Sequence, residues 1–300
     1  ARAVGAVLDR LAPLLAGRPT RRCHGDLHLR NICLLAGKPV LFDGIEFNDA
    51  FTCIDPLYDL AFLLMDLDHR DLGGLANLVF NRYLDRVPDA APLAPLPLYL
   101  SVRAGVRALV SVTAMARQLE ARAKEELARA AARYLDAATT FLRPAAPCLV
   151  AIGGLSGSGK STIARELAPG FAPVPGARLL RSDVRRKVLA GVAPETRLPP
   201  SAYDKASNDR VYEELYGAAA AKLDAGYTAI VDADFLDPAE RDAVAAVAAR
   251  MKRPFIGLWA DAPVETLRRR IEARRDDASD ADLKVLDYQR SLDLGPQSWH

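Results

Sequence analysis

Nine consecutive residues in the second half of the chain combine glycines with a lysine and hydroxyl groups. They are Gly154, Leu155, Ser156, Gly157, Ser158, Gly159, Lys160, Ser161 and Thr162. Glycines let backbone N–H groups turn inward around an anion, and the start of a following helix adds positive potential. Lys160 can then reach the β- and γ-phosphates of ATP, while the Ser161 hydroxyl can bind Mg²⁺. The pattern predicts an ATP site, and the alternative is a flexible Gly/Ser turn.

Asp183 and Arg186 follow a predicted strand over residues 178–180. The carboxyl end of such a strand lies on the edge of a parallel sheet where ligands bind. Phosphoryl transfer needs a group that takes or orients the proton of the attacking hydroxyl. We predict this role for Asp183, and we predict that Arg186, with Arg185 as its rival, clamps an anionic acceptor group or the transferring phosphoryl. Asp183 could instead be only the N-cap of a helix over 184–189.

Two further charged groups follow in the same half. Asp232 and Asp234 come after a predicted strand over 229–231, where Asp232 is predicted to hold Mg²⁺. Their alternative role is that of turn carboxylates. Arg270 and Arg274 share one face of an arginine-rich helix, which predicts a mobile lid that brings them to the phosphates. A solvated charged face is the alternative.

A different pattern occurs in the first half. The run His24–Asn31 reads HGDLHLRN, and Leu41–Asp43 reads LFD. In protein-kinase-like chemistry an Asp orients the acceptor hydroxyl, an Asn five residues later holds Mg²⁺, and a second Asp after a hairpin holds Mg²⁺ between the phosphates. Asp26, Asn31 and Asp43 fit these roles in that order. The alternative is a turn in which Asp26 and Asn31 bond only backbone groups.

These residues must be positioned by two different kinds of structure. In the first half the apolar spacing is mostly helical, with predicted helices over 4–15, 57–67, 75–84 and 99–142 and a strand over 39–42. Asp59 is predicted to cap or pack the start of the second helix. In the second half short apolar runs alternate with helical patterns, with predicted strands over 149–153, 178–180, 229–231 and 255–259. This alternation predicts an α/β fold with a parallel sheet covered by helices on both faces.

The two halves meet at a proline-containing stretch, residues 143–147, which denies helix formation and predicts a connector between domains. We therefore predict domains over 1–144 and 147–300. In the second domain a helix from about Asn208 is predicted to end at Gly226, and Ser279 with Asp282 predicts a helix start.

Composition limits the partners. Lys and Arg total 40 against 38 Asp and Glu, so the net charge of +2 provides no large cationic field for nucleic acid. The four cysteines lack the spacing of a zinc site or a disulfide framework, which predicts reduced thiols and a cytoplasmic protein. Apolar runs fall short of the roughly 20 residues that span a bilayer, so neither a membrane partner nor a signal peptide is expected.

The motifs of the second half resemble those of the small P-loop kinases. The loop that ends at Thr162, the Ser182–Arg186 pattern, Val231–Ala233 and the arginine-rich helix together resemble gluconate-kinase-like, chloramphenicol-phosphotransferase-like and polynucleotide-kinase-like enzymes. The resemblance covers residues 147–300 and implies a three-layer α/β/α domain with a five-stranded parallel sheet. Only four strands are predicted here, so we expect the last strand, which helps to enclose the adenine, to be missing.

The first half resembles the aminoglycoside-phosphotransferase and choline-kinase branch through His24–Asn31 and Asp43, and its helical remainder resembles that family's carboxyl-terminal lobe. The family carries a β-rich lobe ahead of this loop, with a phosphate-covering loop and a Lys–Glu pair. Only 23 residues precede His24. We therefore expect that lobe to be absent from this chain, which leaves the first half little with which to hold ATP.

Both halves together resemble a bacterial arrangement of an aminoglycoside-phosphotransferase-like domain joined to an AAA-type, ATP-binding P-loop kinase. We predict Mg²⁺-dependent transfer of the ATP γ-phosphoryl group to a hydroxyl of a small molecule. One alternative is a nucleotide-dependent regulatory module with a degenerate kinase-like domain. Another is a polynucleotide 5′-hydroxyl kinase, against which the near-neutral charge and the lack of an aromatic stacking platform argue. The acceptor and the oligomeric state are left open by the sequence.

Overall fold

The computed structural model describes residues 12–13, 15–87, 93–274 and 277–300. The helix predicted over residues 4–15 therefore falls almost entirely outside the described residues. The chain divides into two compact units. One contains Ala1–Phe80, Pro92–Pro144 and Pro173–Pro175, and the other contains Asn81–Ala91, Ala145–Ala172 and Gly176–His300, as far as these ranges are described.

The first unit is mainly helical. Its helices are α1 (Asp49–Thr52), α2 (Pro56–His69), α3 (Gly73–Arg86), of which the part after Phe80 belongs to the second unit, α4 (Leu96–Arg117) and α5 (Ala121–Phe141). The helical stretch predicted over 99–142 is formed by two helices, α4 and α5, because the chain is extended at Gln118 and Glu120. The side chain of Gln118 accepts a hydrogen bond from the Leu119 N–H at 2.9 Å and replaces a helical bond there.

Helix α4 is the one helix among the described residues that is long and apolar enough to cross a membrane. That statement rests on length and composition only, and a core helix of a soluble protein passes the same test. Within its unit, α4 packs against α2 and α5.

The first unit also contains short antiparallel strands in its described part. β1 (Arg21–Arg22) pairs with β4 (Cys53–Ile54), and β2 (Ile32–Leu35) pairs with β3 (Lys38–Leu41). The prediction contained only a strand at β3, because the four residues of β2 are all apolar and show no alternation. Ala36 and Gly37 join β2 and β3 with positive φ values of 49° and 76°, as a tight hairpin turn requires.

The second unit confirms the predicted α/β fold. In its described part, β5 (Leu149–Gly153), β6 (Arg178–Arg181), β7 (Ala229–Asp232) and β8 (Phe255–Trp259) form a parallel sheet in the order β6-β7-β5-β8. The helices are α6 (Lys160–Leu167), α7 (Ser182–Leu189), α8 (Lys205–Asp224), α9 (Pro238–Arg250), α10 (Val264–Glu272) and α11 (Leu283–Ser291).

The buried strand β5 explains why helices cover both faces of the sheet. Its side chains alternate between two apolar clusters. Leu149 and Ala151 pack with residues of α8 and α9, such as Val211 and Val244, whereas Val150 and Ile152 pack in the cluster that contains Ala164 of α6. Because every β5 side chain is buried, the strand is apolar throughout rather than alternating, as in other parallel sheets.

Helix ends in the second unit follow local capping chemistry. Helix α8 begins after Asp204, whose carboxylate accepts from the Ser207 N–H, and it is followed by Gly226 at a φ of +85°. Helix α11 begins after Asp282, whose carboxylate accepts a hydrogen bond from the Val285 N–H at 3.0 Å. The start predicted at Ser279 is therefore wrong, because Asp282 is itself the capping residue.

The last residue of the chain pairs with the outer edge of β8. His300 donates its N–H to the Gly257 carbonyl at 3.1 Å and accepts from the Trp259 N–H at 2.8 Å, which is the pattern of a parallel neighbour. The preceding Trp299 covers Gly257 so closely that a Cβ atom there would lie 2.5 Å from the indole Cγ. Trp299 and His300 thus lie at the edge of the sheet where the resemblance implies a fifth strand.

We predict that Gly257→Ala destabilises the second unit by about 1–3 kcal/mol, because the added methyl group overlaps the Trp299 ring. Gly217→Ala is the matched control, since open space surrounds Gly217 in helix α8, and it should stabilise by about 0.5–1 kcal/mol. Both tryptophans of the chain, Trp259 and Trp299, belong to this unit. Thermal unfolding followed by tryptophan fluorescence measures the effect, and equal midpoints for the two variants would contradict it.

Candidate functional site

A cleft of about 1010 Å³ lies within the second unit. Small-molecule sites typically have volumes of about 300–1,000 Å³, so the cleft is large enough for a nucleotide together with a small acceptor. It is lined by the loop between β5 and α6, by residues that follow β6 and β7, and by residues of α10 and α11. The carboxyl ends of parallel strands thus meet the start of a helix, which is where such sheets bind ligands.

The loop between β5 and α6, called the phosphate loop below, runs from Gly154 to Gly159. Gly154 has a φ of +138°, and a Cβ atom there would lie 2.2 Å from the Ala260 carbonyl oxygen. Gly157 has a φ of +83°, and its Cβ would lie 2.7 Å from the Leu267 carbonyl oxygen. Both positions therefore need glycine for backbone conformation and for space.

Lys160 is the first residue of α6 and turns back over the phosphate loop. Its ammonium donates to the carbonyl oxygens of Gly154 at 2.7 Å and Leu155 at 3.1 Å. It also forms an ion pair with Asp234 at 2.9 Å. The charge that is predicted to meet a phosphate is therefore held at the cleft by three oxygen atoms.

Ser161 and Asp232, both predicted ligands of Mg²⁺, are neighbours. The Ser161 hydroxyl donates to an Asp232 carboxylate oxygen at 2.5 Å. Hard oxygen donors of this kind fit Mg²⁺, which proteins usually bind through one or two side chains plus phosphate oxygens and water. No cluster of three His, Cys, Asp or Glu side chains suited to a metal occurs among the described residues. Ser161 and Asp232 fit a Mg²⁺ ion whose remaining ligands are phosphate oxygens and water.

Arg181 is a cleft residue that the sequence reading missed. It is the last residue of β6, and its guanidinium lies 3.5 Å from the Asp232 carboxylate and 2.8 Å from that of Asp277. It thereby connects the carboxylate beside Ser161 to the chain that follows α10. The available signal was its position one residue before Ser182 and Asp183.

Asp183 lies in the first turn of α7, half-buried in the lining of the cleft. The N-cap of α7 is Arg181 and no side chain caps it, so the alternative role of Asp183 as an N-cap is wrong. Burial and the nearby Asp234 carboxylate raise the pKa of Asp183 to about 6, against the opposing effect of Arg181. A carboxylate of this pKa is ionised at neutral pH and can still accept a proton.

Arg186 also lines the cleft, but its guanidinium is partly committed to the protein. Its Nη atoms donate to the Ala202 carbonyl and to the Asn208 side chain, each at 2.7 Å, and it stacks over the Tyr203 ring at 4.6 Å. Its buried Nε has no hydrogen-bond partner among the described atoms. Arg186 therefore braces the turn Pro200–Tyr203. Its rival Arg185 is not part of the described cleft lining.

The two predicted lid arginines occupy different positions. Arg270 on α10 donates to the carbonyl oxygens of Gly157 at 3.2 Å and Ser158 at 2.9 Å, so it contacts the phosphate loop directly. Arg274 lines the cleft and donates weakly, at 3.4 Å, to the Ala281 carbonyl. Both are thus at the cleft, with Arg270 closer to the loop backbone.

Asp280 gathers hydrogen-bond donors that are distant in sequence. It accepts from the wholly buried Lys187, from the Tyr203 hydroxyl at 2.5 Å and from the Leu198 N–H at 3.0 Å. Although burial opposes it, these donors lower the pKa of Asp280. Asp280 therefore connects α7 and the turn Pro200–Tyr203 to the chain before α11. Separations of 77 to 93 residues hid these contacts from sequence patterns.

The first unit brings Asp26 and Asn31 together. The Asn31 amide donates to the Asp26 carboxylate at 3.1 Å and to its carbonyl at 3.0 Å. The backbone N–H of Phe42 donates to the Asn31 carbonyl at 3.1 Å, and its carbonyl oxygen lies 2.9 Å from His24 Nε2. Asp43 follows Phe42 with a φ of +57°. The hairpin β2–β3 thus returns the second acidic residue to the loop that carries the first.

Helix α2 holds this loop through buried carboxylates. Asp59 accepts from the N–H groups of His24 and Gly25, each at 3.0 Å, and Asp66 accepts from the Leu29 N–H at 3.0 Å. Residues 59 and 66 are seven apart, so they share one helix face. The predicted capping role of Asp59 is wrong, since the cap is Asp55, whose carboxylate accepts from the Leu57 N–H, whereas the predicted packing at the start of the helix agrees with the burial of Asp59 in the first turn.

Two family models match the chain. Residues 149–292 match the model of an AAA domain, and residues 1–96 match the model of the phosphotransferase enzyme family. These matches confirm the resemblance of the two halves to a P-loop domain and an aminoglycoside-phosphotransferase-like domain.

Curated relatives extend across both halves. Proteins of Mycobacterium tuberculosis strain H37Rv and of Mycobacterium bovis, each named an uncharacterized protein, are 32% identical to this chain over 280 residues. The match covers 91% of this chain and 54% of each relative, so the chain spans about half the length of the curated relatives it matches.

Two solved kinases are similar to part of the chain. The Mycobacterium tuberculosis APS kinase CysC in complex with AMPPNP and APS is 21% identical, with 44% of this chain and 71% of that chain covered and a TM-score of 0.33. A gluconokinase from Sinorhizobium meliloti is 17% identical, with coverages of 49% and 75% and a TM-score of 0.34.

Because the pKa of Asp183 is raised to about 6, the folded unit disfavours its ionised form. Stability from this group is present below the ordinary Asp pKa and is lost as the pH rises through about 6. Asp183→Asn removes that loss, so its thermal midpoint should exceed that of the wild type at pH 8, and by less at pH 5. The exposed Asp242→Asn is the control. A midpoint lowered by Asp183→Asn at pH 8 would show that the carboxylate stabilises the fold instead.

Proposed function

We propose that the second unit catalyses Mg²⁺-dependent transfer of the ATP γ-phosphoryl group to a hydroxyl group of a small molecule. The observation that carries this proposal is one cleft that contains Lys160, the Ser161–Asp232 pair and the Asp183 carboxylate. A phosphate binder, a pair of hard oxygen donors and a proton acceptor are the parts that phosphoryl transfer requires.

Nucleotide binding falls to the phosphate loop. Its backbone N–H groups and the start of α6 favour anionic oxygen atoms. Lys160 leaves its carbonyl partners for the β- and γ-phosphates, and Arg270 and Arg274 add positive charge from the lining of the same cleft. These fixed charges stabilise the negative charge that spreads over the phosphoryl oxygens during transfer.

Mg²⁺ would be held by Ser161 and Asp232, and when bound it neutralises charge on the β- and γ-phosphates. Arg181 helps to orient the Asp232 carboxylate, because its guanidinium lies 3.5 Å from the same carboxylate oxygen that accepts from Ser161. Asp277 in turn bonds Arg181, so the orientation depends on the chain that follows α10.

Asp183 takes the proton in the transfer step. The acceptor hydroxyl oxygen forms a bond to the γ-phosphorus while the bond from that phosphorus to the bridging oxygen breaks and ADP leaves. The hydroxyl proton passes to the Asp183 carboxylate. A pKa near 6 keeps this group ionised at neutral pH and basic enough to accept the proton. Arg186 shapes the part of the cleft that would hold the acceptor, because it braces the turn Pro200–Tyr203.

For the first unit we propose the same chemistry at a second site. Asp26 would orient an acceptor hydroxyl, and Asn31 and Asp43 would hold Mg²⁺ there. The contact between Asp26 and Asn31 and the grip of α2 on the loop support this assignment.

Lys160→Ala should weaken ATP binding by about 100-fold or more, because the loop loses the charge that meets the phosphates. Isothermal titration of the full chain with ATP and Mg²⁺ measures this. Lys205→Ala is the control, since it removes an exposed lysine that pairs only with Asp209 in the described structure. Retained micromolar affinity in Lys160→Ala would sink the assignment of the phosphate loop.

Asp183→Asn should leave the dissociation constant for ATP within about twofold and reduce transfer by about 10²–10⁴-fold, because the proton acceptor is lost while the phosphate loop is untouched. ADP release is followed while the full chain is offered sugars, aminoglycosides and nucleosides. ATP hydrolysis that no hydroxyl compound stimulates, with Asp183→Asn silent, would favour a regulatory nucleotide module. Label transfer from radioactive ATP to an oligonucleotide would favour the polynucleotide kinase.

A further inference from the structure

Gln289 on α11 contacts the phosphate loop and the cleft carboxylate Asp234 at the same time. Its side-chain oxygen accepts a hydrogen bond from the Ser156 N–H at 2.9 Å, and its side-chain nitrogen donates to Asp234 at 2.8 Å. Gln289 is 3% exposed and Ser156 is 5% exposed. An amide suits this place because it accepts and donates at once, which neither a carboxylate nor an ammonium does.

Asp234 is held from three directions. Its backbone oxygen accepts from the Gly154 N–H at 3.1 Å, one carboxylate oxygen pairs with Lys160 at 2.9 Å, and the other accepts from Gln289. The carboxylate cannot turn away from Lys160 without giving up the Gln289 bond. The amide of Gln289 therefore fixes the anion that Lys160 faces.

Helix α11 has independent reasons to stay in this position. Leu286 of α11 is fully buried against Leu267 and Ile271 of α10. Helix α10 in turn contacts the phosphate loop, because its Arg270 donates to the loop carbonyls. The pair α10–α11 thus contacts the loop through a cation on its carbonyl oxygens and through an amide on its Ser156 N–H. Gln289 is consequently placed by packing rather than by its own hydrogen bonds.

We propose that Gln289 is a positioning residue that holds Asp234 against Lys160, so that nucleotide affinity is set by how readily this ion pair opens. Polyphosphate must draw Lys160 from Asp234, and the fixed anion both competes for the lysine and repels the incoming phosphates. The inference rests on the proposed nucleotide site and adds two residues, Asp234 and Gln289, that tune it.

The test is a double-mutant cycle on the full chain, with the dissociation constant for ATP in the presence of Mg²⁺ measured by isothermal titration. Asp234→Asn removes the competing anion and should tighten binding about fivefold or more. Gln289→Glu keeps an acceptor for Ser156 but places a second carboxylate beside Asp234, and should weaken binding about tenfold or more. The exposed Gln297→Glu adds the same charge in the same unit and should change affinity less than about twofold.

The double variant Asp234→Asn/Gln289→Glu exchanges donor and acceptor across the same contact. It should bind ATP within about twofold of Asp234→Asn alone, because the new carboxylate then accepts from the new amide instead of facing a second carboxylate, whereas independent effects would multiply to about twofold weaker binding than the wild type. An affinity in Gln289→Glu equal to that of Gln297→Glu, or an Asp234→Asn variant that binds no tighter than the wild type, would overturn the proposal. If Gln289→Glu does not fold, Asp234→Asn and the double variant still decide.

Lys160→Ala in the same titration separates the two levels of inference. Loss of ATP binding in Lys160→Ala with no response to Asp234→Asn or Gln289→Glu overturns the role of Gln289 and leaves the nucleotide site standing. Unchanged ATP binding in Lys160→Ala overturns the nucleotide site itself, and the role of Gln289 with it.

Discussion

The turn from β5 into α6 constrains everything else in the second unit. The backbone must pass from a buried strand to the start of a helix within a few residues. The N–H groups of that turn must face a cleft rather than the core. Gly154 passes so close to the Ala260 carbonyl that no side chain fits, and a Cβ atom at Gly157 would also overlap the Leu267 carbonyl oxygen, at 2.7 Å. Two positions of this loop therefore require glycine, one against the residue that follows β8 and the other against helix α10.

Charge in the cleft is balanced by pairing rather than by solvent. Lys160 with Asp234 and Arg181 with Asp232 and Asp277 are paired. Lys160 and Arg181 are largely buried, so desolvation offsets much of this attraction and the pairs contribute little net stability, but each fixes the orientation of a reactive group. Asp183 differs, because burial and a neighbouring carboxylate raise its pKa. A destabilised ionised group among satisfied ones is typical of a site where function, not stability, selects the residue.

The two units hold their catalytic-type loops by different means. In the first unit Asp59 and Asp66 of α2 accept backbone N–H groups of the loop, so buried carboxylates do the holding. In the second unit the loop's polar backbone is met by Arg270 and Gln289 from helices that follow it by more than 100 residues. The anchor of the first loop lies 34 to 37 residues away along the chain, and that of the second lies 112 to 133 residues away.

Local chemistry was readable from the sequence. Strands β5 and β8 and the phosphate loop lie where the apolar runs and glycine spacing predicted them, and Ser161 and Asp232 were both named before they proved to be neighbours. Hydrophobic periodicity and motif spacing are local properties of a few residues, so they predict the secondary structure and the chemistry of a single segment. Strand β2 and the break at Gln118 were missed because weak local signals decide them.

The tertiary structure alone decided which distant groups meet. Gln289 reaches Ser156 across 133 residues, and Asp280 reaches Lys187 across 93, with no pattern in the chain to pair them. It also showed that Asp59 accepts backbone N–H groups instead of capping its helix, and that Arg186 donates to the Ala202 carbonyl. Residue type limits the hydrogen bonds that a side chain can make. Only folding selects its partners, because burial removes the water that would otherwise compete for the same hydrogen bonds.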